Sequence, residues 1–577
     1  MQDPSGYFQK PTHPYHRRYE ALRAHFLDGL ASREVARRFG YTPHSFEVLA
    51  SRFARDDLPP FFRDPLRGRQ DRPVRQPLRE AVLELRRQNL SVLDISQRLT
   101  DQGRKVSPQT VWVILREAGV RRLPRRTSDE REHPHSDPLP VSDRREFAIY
   151  RGLKVSCKAP MVLLFAPFLA RTSFDHQVVR AGYRRHGTQM IPAPSYLRSL
   201  LALKLLHRRR RKDVMPIAED AGFGIFASLN VLPKKTVLHD FAWRMGPRPH
   251  RALLESFVQS RDRMGGYPTL SFNLDFHTVP HYGEREVSRL EKNYRPQRSQ
   301  AVPSVLCAFA QETEGQEMVY AKANVLKEEK ADEVGAFVEY WERTTGKVPK
   351  ELVFDSQMTT HEGLNGLLRR KVTFLTLRER RSEEVERVRA LPESSWRRVK
   401  VNVPGRKWQH PRVLEEEVKL PGMDLALRQI VALDAGKEEP MFLLTNDRRR
   451  GPGKLLTRYA QRGRIENTIQ DQVEFFSLDA LSSSMRIKVD MDVVLDVIAS
   501  ACYRWFAGQV RGWERAKSRR VWTDLLDRDG KIEVTEDEVV VRVRRFSHAP
   551  LLLESSVSHD PTPVPWFGGR RVRLEIF

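Results

Sequence analysis

Residues Thr269–Phe276 read TLSFNLDF, a stretch in which polar and apolar side chains alternate as they do in a half-buried β-strand. Two further strand-like segments follow it, then an amphipathic helix, a short apolar strand that ends in an acid, a short helix and a last strand. These segments are Ser304–Gln311, Met318–Asn324, Ala331–Thr345, Glu351–Asp355, Leu364–Arg370 and Val372–Leu377. The sequence therefore predicts an α/β domain whose sheet begins at Thr269.

The order of these segments resembles that of the ribonuclease-H-like fold, in which an acid on the first strand lies beside an acid at the end of the fourth. Asp275 is on the first predicted strand, and Asp355 ends the fourth. A single aspartate at the end of a strand is more often a turn residue than a catalytic group. The pair therefore gains weight only if the chain supplies a third acid to the same site.

A third acid lies on a predicted helix, Leu455–Phe476, which reads LLTRYAQRGRIENTIQDQVEFF. Tyr459, Arg462 and Glu466 are three and four residues apart. At about 100° per residue, their side chains project within roughly 60° of one helix face. We therefore expect this helix to bring a phenol, a guanidinium and a carboxylate to the site of the two aspartates.

With these residues in place, residues 265–510 resemble a DDE transposase of the bacterial insertion-sequence type, which carries a Y-x2-R-x3-E signature on its last catalytic helix. The resemblance implies that Asp275, Asp355 and Glu466 are catalytic and hold two Mg²⁺ or Mn²⁺ ions, and that Arg462 and Tyr459 assist them. Carboxylates suit these metals. The family usually has a lysine seven residues after the glutamate, but Val473 stands there, so the contact of that lysine is either absent or made by another cation, for which Lys454 and Arg464 are candidates.

The same resemblance implies the partners of the protein. They are double-stranded DNA, as terminal inverted repeats and as target, and a second copy of the chain in a homodimer. Charge points the same way, because 100 Lys and Arg against 74 Asp and Glu give a net charge of +26, which favours a polyanion as partner.

Other features of the composition favour a cytoplasmic or nucleoid-associated protein with no membrane partner. Only three cysteines occur, far apart, which excludes a disulfide framework and a cysteine-rich zinc site. The opening residues Met1–Lys10 are polar and do not resemble a signal peptide. The apolar run Met161–Ala170 is too short to span a bilayer.

The first 120 residues predict two helix-turn-helix repeats, at residues 1–70 and 71–120. Each repeat has three short helical segments, and in each the third opens with a hydroxyl residue followed by proline, a strong start signal. Ser32 and Ser91 are expected to cap the middle helices. We expect the residues after the third caps to face DNA bases: His44, Ser45, Gln109 and Thr110. A small structural bundle is the alternative.

The remaining domain boundaries are placed where the composition and the predicted secondary structure change along the chain. Residues 121–147 predict a linker, and residues 148–264 a helical domain for DNA binding or dimerisation. Residues 265–380 and 452–510 are expected to form the catalytic core, residues 381–451 a β-rich insertion, and residues 511–577 a small tail that contains β-strands. The predicted fold is thus a multidomain α+β chain.

Several cations and one tryptophan are further candidates for contacts with DNA. The five consecutive cations Arg208, Arg209, Arg210, Arg211 and Lys212 repel one another, so a phosphate partner is attractive, although a solvated face would also fit. Arg378 and Arg380 follow the fifth strand as possible phosphate contacts. Trp408, in the insertion, could stack on a base near the cut or could pack the insertion's own core.

Two alternatives to an active transposase remain at this stage. The first is a catalytically inactive, sequence-specific DNA-binding protein descended from a transposase, which the missing lysine keeps open. The second is another ribonuclease-H-like enzyme, such as a nuclease or a resolvase.

Overall fold

The structure of the protein is a computed structural model. It describes residues 5–55, 75–88, 90–104, 106–120, 152–183, 191–230, 232–243, 247–280, 291–295, 300–402, 409–436, 438–479 and 486–577. The predicted linker at residues 121–147 and Trp408 lie outside these ranges. The chain forms two compact units, residues 1–135 and 136–577.

The first unit contains two groups of three helices, each around its own small apolar core. A short helix, α1 (Ser5–Gln9), precedes them. The first group is α2 (Pro14–Phe26), α3 (Ser32–Phe39) and α4 (Pro43–Ala54), and the second is α5 (Arg75–Arg87), α6 (Val92–Asp101) and α7 (Pro108–Glu117). The two helical triplets therefore form within the two segments in which the sequence predicts them.

The helix caps of this unit agree with the sequence at three of four positions. The side chains of Thr42 and Ser107 accept hydrogen bonds from backbone amides three residues on, at the starts of α4 and α7. Ser91 forms a reciprocal capping box with Asp94 at the start of α6. The prediction for Ser32 was wrong, because it is the first residue of α3 and its neighbour Ala31 occupies the cap position.

The second unit begins with a strand and a group of helices. These are β1 (Lys154–Cys157), α8 (Ala166–Arg171), α9 (Phe174–Arg180), α10 (Ala193–Leu205), α11 (Ala221–Ala227), α12 (Lys235–Trp243) and α13 (Pro247–Arg263). The region is thus helical as predicted, with the exception of β1.

The central sheet contains the predicted strands in the predicted order. Its first part consists of β2 (Ser271–Pro280), β3 (Glu291–Arg295), β4 (Gln300–Glu312), β5 (Met318–Ala323), α14 (Glu333–Thr345), β6 (Glu351–Phe354), α15 (His361–Arg369) and β7 (Thr373–Leu377). Strand β4 lies antiparallel to β2 and also pairs with β3 and β5, while β6 lies parallel to both β2 and β7. The expectation that the first predicted strand lies beside the fourth is confirmed.

Residues 381–451, predicted to be an insertion, continue this sheet. They form α16 (Ser382–Arg389), β8 (Arg397–Arg398), β9 (Arg412–Val418), β10 (Leu427–Leu433) and β11 (Met441–Thr445). Strand β11 pairs antiparallel with β7, and β10, β9 and β8 follow outward. The segment is rich in β-strands, as expected, and its backbone hydrogen bonds join it directly to the core sheet.

The predicted helix Leu455–Phe476 is two helices, α17 (Pro452–Ala460) and α18 (Gly463–Glu474). The break falls at Gln461 and Arg462, immediately before Gly463, and glycine is among the residues that least favour a helix interior. After them comes α19 (Arg486–Gln509), which packs against β5, α10 and α13. None of the helices in the described ranges is both long enough and apolar enough to cross a membrane.

The C-terminal region forms a second, smaller sheet. Its elements are α20 (Ser518–Val521), β12 (Gly530–Val534), β13 (Glu538–Val543), α21 (Ala549–Glu554) and β14 (Arg571–Ile576). The strand order is β1, β12, β13 and β14, so the strand that precedes the helical region completes the sheet of the tail. The tail is therefore joined by backbone hydrogen bonds to residues 154–157, which come near the start of the second unit in the sequence.

Candidate active site

Asp275 lies in the middle of β2, the central strand to which both β4 and β6 are paired. Its neighbour Leu274 is buried, and because side chains alternate along a strand, the Asp275 carboxylate projects from the other face. The side chain is 19% exposed, and its Oδ1 atom accepts a hydrogen bond of 2.9 Å from the amide of Phe276. The strand thus holds a largely enclosed carboxylate at a fixed position.

Asp355 follows the last residue of β6 and begins a single turn of 3₁₀-helix. Its Oδ1 atom accepts hydrogen bonds from the Ser356 hydroxyl, at 3.1 Å, and from the Gln357 amide, at 3.4 Å. The parallel register pairs Asn273 with Val353, and two more residues along each strand lead to Asp275 and Asp355. The two carboxylates therefore belong to the same edge of the sheet.

Arg462, at the break between α17 and α18, connects the acids. Its Nη1 atom lies 3.1 Å from Oδ2 of Asp275 and its Nη2 atom lies 3.2 Å from Oε1 of Glu466. The guanidinium is 15% exposed, whereas the Glu466 side chain is 59% exposed. Although the helix is broken, the three residues come together as the sequence predicts, with the arginine between the two carboxylates.

Tyr459 completes this group from the last turn of α17. The Cζ atom of Arg462 lies 5.9 Å from the centre of the tyrosine ring. Burial, opposed by Arg462 and supported by Asp355, raises the pKa of Tyr459 to about 12. The phenol is therefore protonated at neutral pH and has a hydrogen available to donate.

The electrostatics of Asp275 reflect its crowded setting. Burial raises the pKa of Asp275 above its ordinary value, the Arg462 guanidinium opposes this, and the negative charges of Glu466 and Asp355 add to the rise. A carboxylate whose charge is disfavoured by its surroundings costs folding free energy. Such a cost is common where chemistry requires several acids in one place.

Four of these five residues line one cleft, with a volume of about 310 Å³: Asp355, Tyr459, Arg462 and Glu466. Asp275 is not in its wall but is paired with Arg462, which is. Arg380 and Glu439, which form an ion pair, also line the cleft. Apolar side chains complete the wall: Leu377, Ala435, Met441, Leu456 and Ala460. The cleft wall therefore combines charged and apolar groups.

The carboxylates suit a divalent metal by their chemistry, because Mg²⁺ and Mn²⁺ prefer carboxylate oxygens and a cation would relieve the mutual repulsion felt by Asp275. Whether the carboxylates are also placed to bind a metal is decided by their geometry. Within the described ranges, no group of three or more His, Cys, Asp or Glu side chains is positioned to hold a metal ion. In this conformation Arg462 supplies the positive charge that Asp275 and Glu466 share.

The other predicted contacts near the cleft differ from one another. Arg380 lines the cleft, as described above. Arg378 is 14% exposed and is held by Glu384, at 2.6 Å, and by Gln429, at 3.1 Å. Arg378 was a possible phosphate contact by sequence, and the structure instead pairs its guanidinium with Glu384 on α16 and Gln429 on β10.

Val473 stands at the position where the resemblance led us to expect a lysine. Val473 is partly buried and packs against the main apolar core. A lysine with the same orientation would have to place its charge in that core, at a cost of several kcal/mol unless it reached a partner. Lys454 and Arg464, the expected substitutes, are not among the described residues that line the cleft.

In the N-terminal unit, His44 and Gln109 are exposed on the first turns of α4 and α7. The hydroxyls of Ser45 and Thr110 are engaged locally. Thr42 and Ser45 hydrogen-bond each other, and the Ser107 and Thr110 hydroxyls lie 2.9 Å apart. His44 and Gln109 are therefore better placed to contact a partner than their hydroxyl neighbours.

The run of five cations after α10 is not uniform. Arg208, Arg209, Arg210 and Lys212 are exposed, but Arg211 is only 5% exposed and its Nη2 atom lies 3.1 Å from Oδ1 of Asp492. The expectation of one exposed patch is therefore wrong for Arg211. The reason is that the first turn after α10 directs this side chain towards α19.

A histidine lies on the same strand as Asp275. His277 is two residues beyond Asp275 on β2, hence on the same face of the strand. Its Nε2 atom lies 2.8 Å from Oδ1 of Asp479, which follows α18. The contact joins segments 202 residues apart, and such pairing has no local signature in a sequence.

No protein-family model matches this chain, and no curated protein matches it. Among solved structures, one similar chain is the piggyBac transposase in a cryo-EM structure of its synaptic complex with hairpin DNA. It is 12% identical, the match covers 67% of this chain and 83% of that chain, and the TM-score is 0.34. A likeness at this TM-score does not establish a shared fold.

Proposed function

We propose that the protein is a DNA transposase that binds the terminal repeats of its element and cuts and joins DNA at the cleft of Asp275, Asp355 and Glu466. The observation that carries this proposal is the double ion pair of Arg462, 3.1 Å from Asp275 and 3.2 Å from Glu466. Asp275 and Glu466, which are 191 positions apart in the sequence, meet at one guanidinium, as expected of a ribonuclease-H-like site.

The three carboxylates of Asp275, Asp355 and Glu466 would hold two Mg²⁺ or Mn²⁺ ions. Such ions activate the attacking oxygen and stabilise the leaving oxygen in phosphodiester chemistry. Arg462, in the break between α17 and α18, would exchange its carboxylate partners for a DNA phosphate. Tyr459, protonated at neutral pH, would donate a hydrogen bond to a neighbouring phosphate oxygen.

In the proposed reaction, a water oxygen attacks phosphorus at the end of the element, and the bond from phosphorus to the 3′ oxygen breaks. The attacking water loses a proton to solvent, and the departing 3′ oxygen takes up a proton from solvent and becomes a hydroxyl. That hydroxyl then attacks a phosphorus of the target DNA in the same cleft and displaces its 3′ oxygen. The two steps are equivalent displacements, so one set of carboxylates serves both.

DNA binding would involve surfaces beyond the cleft. His44 and Gln109 would contact bases from the first turns of α4 and α7, as in helix-turn-helix proteins. Four exposed cations would contact backbone phosphates: Arg208, Arg209, Arg210 and Lys212. A homodimer that holds two element ends is part of the proposal, since joining requires both.

An inactive DNA-binding protein is the second candidate, and a specific observation favours it. Arg462 neutralises two of the three acids, and Val473 packs in the core where the family has a lysine. If Arg462 never leaves the carboxylates, the protein would bind DNA and not cut it.

A nicking assay separates the two candidates. Purified protein is incubated with Mg²⁺ and duplex DNA that carries the repeats flanking its gene, beside the variants Asp275→Ala and Glu466→Ala. We expect nicks at the repeat ends from the natural protein and none from either variant. Binding without nicking would support the inactive candidate, and nicking by the variants would show that the acids are misassigned.

A further inference from the structure

A second charged site lies at the other end of α18, where the run of cations meets the helices of the second unit. The residues around it are Leu200, Leu203, Lys204, Arg208, Arg209, Arg210, Arg211, Ser477, Asp492 and Leu495. They enclose a cavity of about 20 Å³. A space of that size has room for one water-sized atom.

The guanidinium of Arg211 is the unusual feature of this cavity. The residue is 5% exposed, and one nitrogen, Nη2, pairs with Asp492. The other two nitrogens, Nε and Nη1, are buried and have no hydrogen-bond partner. A buried donor without a partner costs on the order of 1–3 kcal/mol, and more when it is charged, so a site of this kind calls for an acceptor.

Charge around the cavity makes an anionic acceptor the favoured one. Five cations surround it, of which Lys204 is paired with Asp496 at 2.7 Å and Arg211 with Asp492 at 3.1 Å. The side chains of Arg208, Arg209 and Arg210 are exposed at its mouth. The backbone amide of Arg210 donates a hydrogen bond of 2.9 Å to Asp213.

We propose that this cavity, which we call the Arg211 site, binds a backbone phosphate of the DNA. One phosphate oxygen would enter the cavity and accept hydrogen bonds from Nε and Nη1 of Arg211, while the exposed arginines at the mouth would pair with the other oxygens. Arginine nitrogens suit phosphate in this geometry. This inference rests on the proposed function, since it takes DNA to be the partner.

The Arg211 site is mechanically joined to the helix that carries Glu466. Lys204 donates a hydrogen bond of 3.2 Å to the carbonyl of Phe476, and Nδ1 of His207 lies 2.6 Å from the carbonyl of Phe475. Ser477, at the wall of the cavity, has a left-handed backbone with φ of 63°. A phosphate here would therefore rest against the C-terminal end of α18.

The helix also separates this site from the acids. Glu466 and Glu474, the last residue of α18, are eight residues apart, or roughly 12 Å along the helix.

The test compares DNA binding by the natural chain and three variants over a range of salt concentrations, with fluorescence anisotropy of a labelled 30-base-pair duplex as the probe. Arg211→Met should weaken binding roughly tenfold and lower the slope of log affinity against log salt by about one. Asp492→Asn, which frees the third nitrogen of Arg211, should leave binding unchanged or tighten it. Arg198→Met, which removes another buried arginine paired with an acid, should leave the slope unchanged.

Three outcomes would overturn the Arg211 site. The first is an unchanged slope in Arg211→Met. The second is an equal weakening of DNA binding by Asp492→Asn, which would show that the pair of Arg211 and Asp492 is merely structural. This variant remains informative if Arg211→Met does not fold. The third is protection of the natural chain from heat by inorganic phosphate, lost in Arg211→Met, with no change in DNA slope, which would indicate a site for a small anion only. Failure to nick DNA leaves this test intact, because it measures binding.

Discussion

The two ends of α18 present opposite problems in electrostatics. At the first end, Glu466 and Asp275 share one guanidinium, and burial together with neighbouring acids raises the pKa of Asp275. At the other end, Arg211 is buried with two nitrogens that lack a partner. The first end has two carboxylates for one guanidinium, and the other end has guanidinium nitrogens without an acceptor. Both arrangements raise the free energy of the folded chain. The comparison suggests that each end is built for a component absent from the free protein, a divalent cation at the first and a phosphate at the second.

The largest expected effect is on the rate of DNA nicking, at the end of α18 that carries Glu466. Asp355→Asn should lower the rate of Mg²⁺-dependent nicking by a factor of about 10³ or more, because it removes a carboxylate that would hold a metal ion. The rate is measured by single-turnover nicking on a gel. Asp424→Asn, an exposed aspartate paired with Arg369, is the matched control and should retain full activity. Equal activity of the two variants would remove Asp355 from the site.

A smaller effect is expected on metal affinity. Arg462→Met should tighten the binding of Mn²⁺ by roughly tenfold, since the metal no longer competes with the guanidinium for Asp275 and Glu466. Isothermal titration of the metal into the DNA-free chain provides the measurement. Arg464→Met, two residues along the chain, serves as the control and should bind Mn²⁺ as the natural protein does. Weaker binding by Arg462→Met would show that the arginine organises the acids for metal instead of competing with it.

The smallest expected effect is on stability. Because the pKa of Asp275 is raised in the folded state, its contribution to stability is fully present below the unfolded pKa and is lost as pH rises through the folded pKa. Asp275→Asn should therefore raise the melting temperature at pH 7.5, by about 2 °C if roughly 1 kcal/mol is recovered. The gain should shrink as pH is lowered.

The control for this measurement is an aspartate on α18, the helix that carries Glu466. Asp471 is buried and accepts hydrogen bonds from the Ser518 amide, at 3.2 Å, and the Ser518 hydroxyl, at 2.6 Å. Asp471→Asn should lower the melting temperature, because an amide nitrogen in place of a carboxylate oxygen cannot accept both bonds. Destabilisation by both variants would mean that Asp275 is an ordinary structural acid.

The sequence predicted the sheet of the second unit well because its signals are local. Alternation in β2, the apolar strand before Asp355 and the amphipathic α14 each appear within a window of a dozen residues or fewer. The caps at Thr42 and Ser107 were predictable for the same reason. The catalytic candidates followed from the resemblance together with this strand order.

What the sequence did not predict depends on partners far along the chain. The pairing of β11 with β7 makes the expected insertion part of the core sheet, and β1 joins a sheet formed some 375 residues later. Arg211 resembles its four cationic neighbours in sequence, and only α19 makes it different. The break before Gly463 did have a local signal, since glycine disfavours a helix interior, and the prediction of one continuous helix gave it too little weight.

The central claim is that three acids form one metal site, and iron-mediated cleavage of the polypeptide tests it most directly. Fe²⁺ takes carboxylate ligands, and with ascorbate and peroxide it generates radicals that cut the backbone close to the metal. With DNA bound, we predict fragments that end near residues 275, 355 and 466, that fade when excess Mg²⁺ is added and that are absent from Asp275→Ala. Cuts elsewhere, or the same cuts in Asp275→Ala, would contradict the account.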